Sequence, residues 1–478
     1  MRLSTFLKIN CTIFLTLYSS TFIRSEVRKV SKGAPNFLIL IADDAGMDFG
    51  CYGNPFIKTP NIDRLAKSGI KCEQTFLTAP QCSPSRISIL SGQYPHTTRT
   101  EDLHTPLPAG INFLTTYLRQ TGYFTGSNGK THWGPNGDQQ FDWYANGFDT
   151  FKSFLEDRKG RPFFFWTGFY DPHRTYQKGT ISAPHSPEKV IVRDHLVDDS
   201  RTRNDIAMYY DEISRMDSIV GVYIDILEKE NLIKDTYIIF LSDNGAPFPR
   251  EKGTLYDTGI QTPLVISGPY VPKGEVYGGL MSVIDIAPTI LDLAGLEARD
   301  EMRGSSFSPI LNGDLMIAPE FIFSERNWHN CDEHMRSIRS DKYKLILNAY
   351  TEKPHGTPAD LANSPSWFSL LEGKERGSIS HEQSQIFTVP RPSVELYDLT
   401  TDPGEYHNLA FDPEYRQIAQ YLLDELQKWE ETTDDFPSTY RTRRDNTDRI
   451  TGIKYHDQVP ELENDLPAGH VIPKTEDE

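Results

Sequence analysis

Three continuous apolar runs constrain the fold of this chain more than any other feature of its sequence. They span Asn36–Ala42, Pro162–Gly168 and Asp235–Leu241. A strand that helices cover on both faces reads as an unbroken apolar run, whereas a strand with one face in water alternates. Helical patterns separate the runs, over Asn61–Ser68, Ile111–Thr121, Ile206–Glu228 and Asp285–Ala294. This alternation predicts an α/β fold whose large, mostly parallel sheet is flanked by helices.

Polar residues capable of metal binding or proton transfer follow each apolar run. Asp43 and Asp44 follow the first run, Asp243 and Asn244 follow the third, and His173 lies shortly after the second. Ligands of parallel sheets bind beyond the carboxyl ends of the strands. Carboxylate and amide oxygens suit a hard cation, calcium or magnesium. Such residues also form ordinary turns, but two equivalent strand ends together favour a metal site.

The composition of the sequence changes after residue 345, and residues 351–390 are rich in Pro, Ser and Gly. This change predicts a second, smaller unit. We divide the chain into a signal segment 1–25, a large N-terminal domain 26–345, a C-terminal subdomain 346–436 and a polar extension 437–478. The subdomain should be α+β with a small antiparallel sheet. Its predicted elements are strands at Lys342–Leu347 and Val394–Leu399 and an amphipathic helix at Tyr415–Thr433.

The net charge and the N-terminal residues limit the classes of partner and the cellular compartment of the protein. The net charge of −18 argues against a nucleic-acid partner, because neutralising phosphates requires a basic surface. Residues 1–25 combine positive charge, a short apolar stretch and small residues, as a secretory signal does. No other segment is apolar enough for stable membrane insertion. The single acceptable glycosylation sequon, at Asn10, lies inside the signal, which favours a bacterial periplasmic or secreted protein over a lysosomal one.

One of the five cysteines stands out. Cys82 precedes a helical pattern over 87–92 and lies near Arg86, an arrangement that should lower the pKa of a thiol. A buried, inert cysteine is the alternative, and the residues alone leave both open. Whether Cys51 and Cys72 pair is also left open by the sequence.

The segment Cys82–Arg86, with sequence Cys-Ser-Pro-Ser-Arg, resembles the C-x-P-S-R signature of type I sulfatases, and Ile89–Gly92 resembles the end of their longer pattern. Further blocks occur in the order of that family: Asp43-Asp44, Gly129–His132, Asp171–Arg174, Asp243–Gly245, Lys252, Asp285–Gly295 and Leu396–Pro403. The resemblance covers roughly residues 34–435. Within the family, the chain looks most like the sulfamidase (N-sulfoglucosamine sulfohydrolase) branch and related bacterial polysaccharide sulfatases.

The resemblance implies an alkaline-phosphatase-like sulfatase fold and a mechanism. A maturation enzyme would oxidise Cys82 to formylglycine (3-oxoalanine), whose hydrate attacks the sulfur of the substrate. A calcium ion, or magnesium, would be held by Asp43, Asp44, Cys82, Asp243 and Asn244.

Basic side chains have implied roles in the same mechanism. Arg86 would stabilise the modified residue, and Lys130 and Lys252 would hold the sulfate. His132 is the implied base for sulfate release, and His173 is the implied acid for the leaving group.

Two further expectations concern the substrate. Lys252 stands where the sulfamidase branch carries arginine, which favours an O-sulfate ester over an N-sulfo group. Six residues are expected to line an outer pocket for a charged sugar: Arg174, Glu325, Trp328, His329, His334 and Arg336. A surface loop packed by Trp328 is the alternative for the segment that contains most of them.

The sequence therefore predicts an exported sulfatase acting on a sulfated polysaccharide or its oligosaccharides. Three alternatives remain: a sulfamidase, a phosphonate or phosphodiester hydrolase of the same superfamily, and a glycan-binding relative without catalysis.

Overall fold

The computed structural model describes residues 33–103, 105–329 and 332–437, which form two sheets. Their strands are β1 (Asn36–Ala42), β2 (Ile70–Phe76), β3 (Phe124–Gly129), β4 (Trp143–Ala145), β5 (Phe163–Gly168), β6 (Thr236–Ser242), β7 (Gln261–Ser267), β8 (Glu275–Ser282), β9 (Ile322–Trp328), β10 (Asp332–Arg339), β11 (Tyr343–Asn348) and β12 (Val394–Asp398). The three apolar runs of the sequence are thus strands β1, β5 and β6.

The larger sheet has the strand order β4-β3-β5-β1-β6-β7-β2-β8 within the described residues. Only β7 runs antiparallel to its neighbours β6 and β2, and the other pairs are parallel. The predicted α/β class with a mostly parallel sheet is therefore confirmed. The apolar strands β1, β5 and β6 are adjacent at the centre of the sheet, where helices cover both faces.

Alternate residues of β1 enter two different cores. Phe37, Ile39 and Ile41 belong to one apolar cluster, and Leu38 and Leu40 belong to a second cluster on the other face. Side chains of a strand point alternately to the two faces of its sheet, so an all-apolar strand fills both cores. This explains why residues 37–42 of the run are all apolar.

The helices lie at the predicted places with small shifts at their ends. The helices are α1 (Pro60–Ser68), α2 (Cys82–Ser91), α3 (Pro95–Thr98), α4 (Leu114–Thr121), α5 (Pro135–Asp138), α6 (Phe151–Asp157), α7 (Ser200–Lys229), α8 (Asp257–Ile260), α9 (Ile286–Leu293), α10 (Ser308–Leu311), α11 (Pro365–Glu375), α12 (His381–Ser384) and α13 (Arg416–Thr433). Helix α7 begins earlier than the periodicity indicated, because Asp199 caps it by accepting a hydrogen bond from the Thr202 amide.

The smaller sheet is antiparallel, with the order β12-β11-β10-β9. Its third core packs Ile338, Leu345 and Leu396 of the sheet against Leu426 and Trp429 of α13. The sheet begins at Ile322, so the division predicted at residues 345 and 346 falls within β11.

Three sequence expectations concern the termini and the cysteines. The signal at 1–25 and nearly all of the extension at 437–478 lie outside the described residues. Across the described part of the chain, no helix has both the length and the apolar composition needed to cross a bilayer. Cys51 and Cys72 are free thiols, so the pairing that the sequence left open does not form here.

We expect the aromatic cluster beneath β5 to contribute strongly to stability. The fully buried ring of Phe165 lies 4.9 Å from that of Phe151 and 4.4 Å from that of Phe154, between centroids. Phe165→Ala should lower the free energy of unfolding by about 3–5 kcal/mol in urea denaturation, because it leaves a cavity. The control Phe411→Ala removes a ring that is 75% exposed and should change it by less than about 0.5 kcal/mol. Similar losses in both variants would contradict this packing.

Candidate active site

The register of the central strands brings the predicted site residues to one edge of the sheet. Ala42 at the end of β1 pairs with Ser242 at the end of β6, and Gly168 at the end of β5 pairs with Gly129 at the end of β3. The chain leaves these strands at the same level, so the residues that follow them converge. Asp43, Asp44, Lys130, Asp243 and Asn244 occupy these positions.

A buried carboxylate cluster forms there. Ligand atoms of Asp43, Asp44, Cys82 and Asp243 all lie within 4.8 Å of one another. The Cys82 Sγ atom is 3.4 Å from Asp43 Oδ1 and 4.0 Å from Asp44 Oδ1. Several buried carboxylates at this separation repel one another unless cations lie between them.

The oxygens of this cluster fit a hard cation. Asn244 Nδ2 donates to Asp44 Oδ1 at 2.6 Å, which leaves the amide oxygen directed elsewhere. That Asn244 Oδ1 atom is buried and has no hydrogen-bond partner among the described residues. A buried acceptor without a donor is costly, and a cation held by oxygen ligands would satisfy it. The cluster could therefore hold a metal ion, as the sequence predicted.

Arg86 is the first of three cationic side chains that surround the cluster. Its Nε donates to Asp243 Oδ2 at 2.8 Å, its Nη1 donates to the Lys130 carbonyl at 2.9 Å, and its Nη2 lies 3.8 Å from Asp43 Oδ1. The guanidinium is fully buried and joins β1, β3 and β6 at their ends. One planar cation thus fixes three strand ends in one geometry.

Two lysines complete the ring of positive charge. Lys130 Nζ donates to Asp43 Oδ2 at 2.5 Å. Lys252 Nζ donates at 2.7 Å both to Asp44 Oδ2 and to Asp360 Oδ2. Burial lowers the pKa of each ammonium, but the facing carboxylates outweigh it and raise both values, so both lysines stay charged.

The pKa values of Asp43 and Asp243 shift in opposite directions in this surrounding. Burial acts to raise the pKa of Asp43, but Lys130, His173 and Arg86 outweigh it and hold the value well below the usual range. Burial raises the pKa of Asp243 to about 6, because the lowering by Arg86 is opposed by repulsion from Asp43. A cation in the cluster would relieve this repulsion.

Cys82 is the first residue of α2, as its position before a helical pattern indicated. The helix begins five residues earlier than the predicted stretch at 87–92, and every residue of it is buried. The expectation of a lowered thiol pKa is wrong: burial raises the pKa of Cys82 well above its usual value, and Asp43 and Asp243 add to the rise. The thiol is therefore un-ionised, unlike that of an activated cysteine nucleophile.

His173 lies at the open side of the cluster. Its side chain is 32% exposed, and its Nε2 is 3.6 Å from Asp360 Oδ2 and 4.0 Å from Asp44 Oδ2. Its Nδ1 donates a hydrogen bond to the Arg174 carbonyl at 2.6 Å, which leaves Nε2 directed at the site. His132, on the loop after β3, is half-buried with a left-handed φ of 63°.

Asp360 is the site residue that the sequence analysis missed. It lies between β11 and α11, in a segment rich in Pro, Ser and Gly, with no motif around it. Its contacts with Lys252 and His173 arise only from the packing of that segment over the sheet edge. No signal in the sequence distinguishes it from the other aspartates.

Three of the six expected outer-pocket residues are committed to contacts within the protein. Arg174 makes a bidentate pair with Asp205, at 2.7 and 2.8 Å, and donates to the Pro247 carbonyl. Both carboxylate oxygens of Glu325 contact His96, one through its backbone amide and one through the ring Nδ1. Arg336 pairs with Asp435 and donates to Asn327 Oδ1 at 3.0 Å. Buried charges need such partners, so these three side chains join elements of the fold.

The other three residues remain candidates for the outer pocket. Trp328, His329 and His334 lie on or beside β9 and β10, which are paired strands and not the surface loop considered as an alternative. All three are buried. Of these, His329 is near enough to Asp360 for a positive charge on its ring to lower the pKa of that carboxyl.

The fold and the site together place a buried carboxylate cluster, surrounded by three cationic side chains, at the carboxyl edge of an α/β sheet. A sulfatase family model matches residues 35–157 and 148–296, and a model described as N-sulphoglucosamine sulphohydrolase, C-terminal, matches residues 250–384. The chain belongs to the sulfatase family of sulfuric ester hydrolases.

Named relatives agree with this assignment. The chain is 31% identical to human N-sulphoglucosamine sulphohydrolase, over 84% of this chain and 90% of that protein. It is 28% identical to an ulvan-active sulfatase of Formosa agariphila, over 83% of this chain and 74% of the relative. A solved structure described in complex with D-glucosamine-2-N,6-O-disulfate has 20% identity and a TM-score of 0.65, covering 84% of this chain and 99% of that one.

We expect Arg86 to be essential for stability. Arg86→Met would leave Asp243 and Asp43 buried beside each other without their shared partner, and should cost about 3–5 kcal/mol in urea denaturation. Arg201→Met is the matched control, because Arg201 makes an equally short pair with Glu372 on the surface. That exposed pair should contribute about 1 kcal/mol or less. Equal losses in the two variants would rule out this role of Arg86.

Proposed function

We propose that this protein is an exported sulfatase that hydrolyses O-sulfate esters of a sulfated carbohydrate, using formylglycine at position 82 and a bound divalent cation. The observation that carries the proposal is the placement of Cys82. Its Sγ lies among the carboxylates of Asp43 and Asp44, inside a ring of three cationic side chains. A negatively charged sulfate group can be neutralised there and held next to residue 82.

The modification supplies a nucleophile that the buried thiol of Cys82 cannot provide. A buried cysteine with a raised pKa is a poor nucleophile. Formylglycine supplies instead a hydrated aldehyde with one hydroxyl for attack on sulfur and a second for the release of sulfate. Cys82 is only 2% exposed, so a maturation enzyme must reach it before α2 packs into the fold.

Calcium is the cation that the donor set favours. Asp43, Asp44, Asp243 and Asn244 would hold it, with residue 82 beside them. All are oxygen donors, as hard cations prefer, and no histidine or second cysteine is among them. The ion would supply positive charge to the sulfate oxygens. Magnesium is the second candidate.

The remaining catalytic roles belong to side chains of the protein itself. Lys130 and Lys252 hold the charge of the sulfate group, and Arg86 orients the carboxylates and residue 82. The imidazolium form of His173 gives its Nε2 proton to the leaving oxygen, while its Nδ1 proton stays in the hydrogen bond to the Arg174 carbonyl. His132 accepts a proton during sulfate release.

A carbohydrate substrate is supported by the relatives, whose names refer to sulphoglucosamine and ulvan. An O-sulfate ester is favoured over an N-sulfo group, because Lys252 stands where the sulfamidase branch has arginine. Export is favoured by the signal-like residues 1–25.

The decisive experiment compares four classes of substrate on the metal-loaded, matured enzyme. We expect release of sulfate from O-sulfated mono- and oligosaccharides to exceed release from N-sulfoglucosamine and the hydrolysis of phosphonate and phosphate diesters. Cys82→Ala should abolish turnover while the fold persists by circular dichroism. Cys51→Ala, which removes another free thiol away from the site, should leave turnover unchanged. Faster N-sulfo or diester turnover would establish one of the competing hydrolases.

Mass spectrometry of the peptide 72–86 separates an enzyme from a glycan-binding relative. In a host with the maturation machinery, we expect the mass of 3-oxoalanine at position 82 and of intact cysteine at position 72. An unmodified Cys82 together with absent turnover would support the non-catalytic relative.

Cation binding can be measured without catalysis. Calcium added to the chelator-treated protein should raise its Tm, by the equivalent of about 2.7 kcal/mol at a hundredfold excess over Kd. Asp44→Ala should lose this calcium-dependent gain, because it removes a carboxylate from the cluster. Asp198→Asn, which neutralises an exposed carboxylate paired with Arg203, should keep it. The same gain in both variants would locate the ion elsewhere.

A further inference from the structure

Asp360 presents an apparent contradiction in a site that binds an anion. Its Oδ2 accepts from Lys252 Nζ at 2.7 Å, and its carboxylate lies within 4.8 Å of Asp44 and His173 ligand atoms. A carboxylate here neutralises part of the positive charge that a sulfate group requires. A negative charge beside an anion site weakens the binding of an anion, so the presence of Asp360 requires an explanation.

The fold holds Asp360 at this place from both sides. Arg326 donates to the carbonyls of Gly253 and Gly356, which ties the loop after Lys252 to the segment before Asp360. On the other side, Ser366 donates to Asp205, the partner of Arg174. The position of Asp360 is therefore set by contacts other than its own ion pair.

Its charge is also fixed. Burial acts to raise the pKa of Asp360, but Lys252, His173 and His329 outweigh it and hold the pKa well below the usual range. The side chain is 15% exposed, so solvent screens its charge only in part. Asp360 is a permanent negative charge at the edge of the anion site.

Counting charges shows what this one changes. Four carboxylates face three cationic side chains in the site: Asp43, Asp44, Asp243 and Asp360 against Arg86, Lys130 and Lys252. With a divalent cation, these side chains sum to one positive charge, and protonated His173 adds a second. A sulfate ester carries one negative charge, whereas a phosphate monoester carries about 1.5 to 2 near neutral pH. Without Asp360 the site would carry one more positive charge, which favours a dianion over a monoanion.

We infer that Asp360 is a specificity-determining residue that makes this site select monoanionic sulfate esters over dianionic phosphate monoesters. The inference rests on the proposed function, because it takes the sulfate site to be the cluster around residue 82. Asp360 acts through its negative charge and needs no contact with the substrate. Lys252 donates to both Asp360 and Asp44, so Asp360 offsets part of the positive charge that Lys252 offers to an anion. Shape cannot supply this selection, since sulfate and phosphate groups are both tetrahedral and nearly equal in size.

The test compares two non-hydrolysable ligands on the calcium-loaded, matured protein. Benzenesulfonate is a monoanion, and phenylphosphonate is a dianion of the same shape at sufficiently high pH. Calorimetric titration gives the ratio of their Kd values, which a merely structural role would not move. For Asp360→Asn we expect the ratio to shift at least about tenfold in favour of the phosphonate, as one nearby charge commonly produces.

Three variants control the experiment. Asp360→Glu keeps the charge and should retain the wild-type ratio. Asp360→Ser removes the charge in a different shape and should repeat the shift, should Asp360→Asn fail to fold. Asp198→Asn lowers the net negative charge of the protein equally, from an exposed position, and should leave the ratio unchanged.

Two results would overturn the inference. One is an unchanged ratio in folded, calcium-loaded Asp360→Asn or Asp360→Ser, and the other is an equal loss of both ligands, which would assign Asp360 a structural role alone. Failure of the proposed function is recognised separately, because a wild-type protein that hydrolyses no sulfate ester would reveal it before any variant is made.

Discussion

The mutual neutralisation of buried charges at the carboxyl ends of β1 and β6 is the interaction on which the rest of the site depends. Asp43, Asp44 and Asp243 are withdrawn from water together, and each has a cationic partner within hydrogen-bond distance. Desolvated carboxylates this close are strongly unfavourable unless such partners and further hydrogen bonds compensate them. The site is thus stable only as a whole.

The sheet supplies the precision that this arrangement requires. Parallel pairing of β1 with both β5 and β6 aligns the strand ends to within one residue, and Arg86 then joins them from the start of α2. Because all ten residues of α2 are buried, the first turn of that helix cannot shift without disturbing the core. Residue 82 is thus held by a fully buried helix, as a residue at a reaction centre should be.

The smaller sheet contributes to the site as well as to the fold. Glu325 of β9 contacts His96 of α3, which joins the smaller sheet to the larger domain, whereas Arg336 of β10 pairs with Asp435 just after α13. The segment between β11 and α11 then places Asp360 against Lys252. Residues far apart in the chain thus meet at one charged site, so the net charge of that site depends on the packing of the whole fold.

The sequence by itself determined the central strands, the fold class and the residues that follow strands β1, β3 and β6. Those features are local: an apolar run specifies a doubly covered strand, and the carboxyl edge of a parallel sheet collects whatever follows it. It also marked Cys82 through a short motif, but it left the acidity of the thiol open, since burial depends on packing that no motif contains.

Only the tertiary structure decided the rest of the site. It showed that Arg174, Glu325 and Arg336 are occupied by partners distant in the chain, whereas Asp360, which no pattern marks, faces Lys252. The reason is physical: the partner of a buried charge is set by which segments pack together, and that choice depends on the free energy of the entire fold.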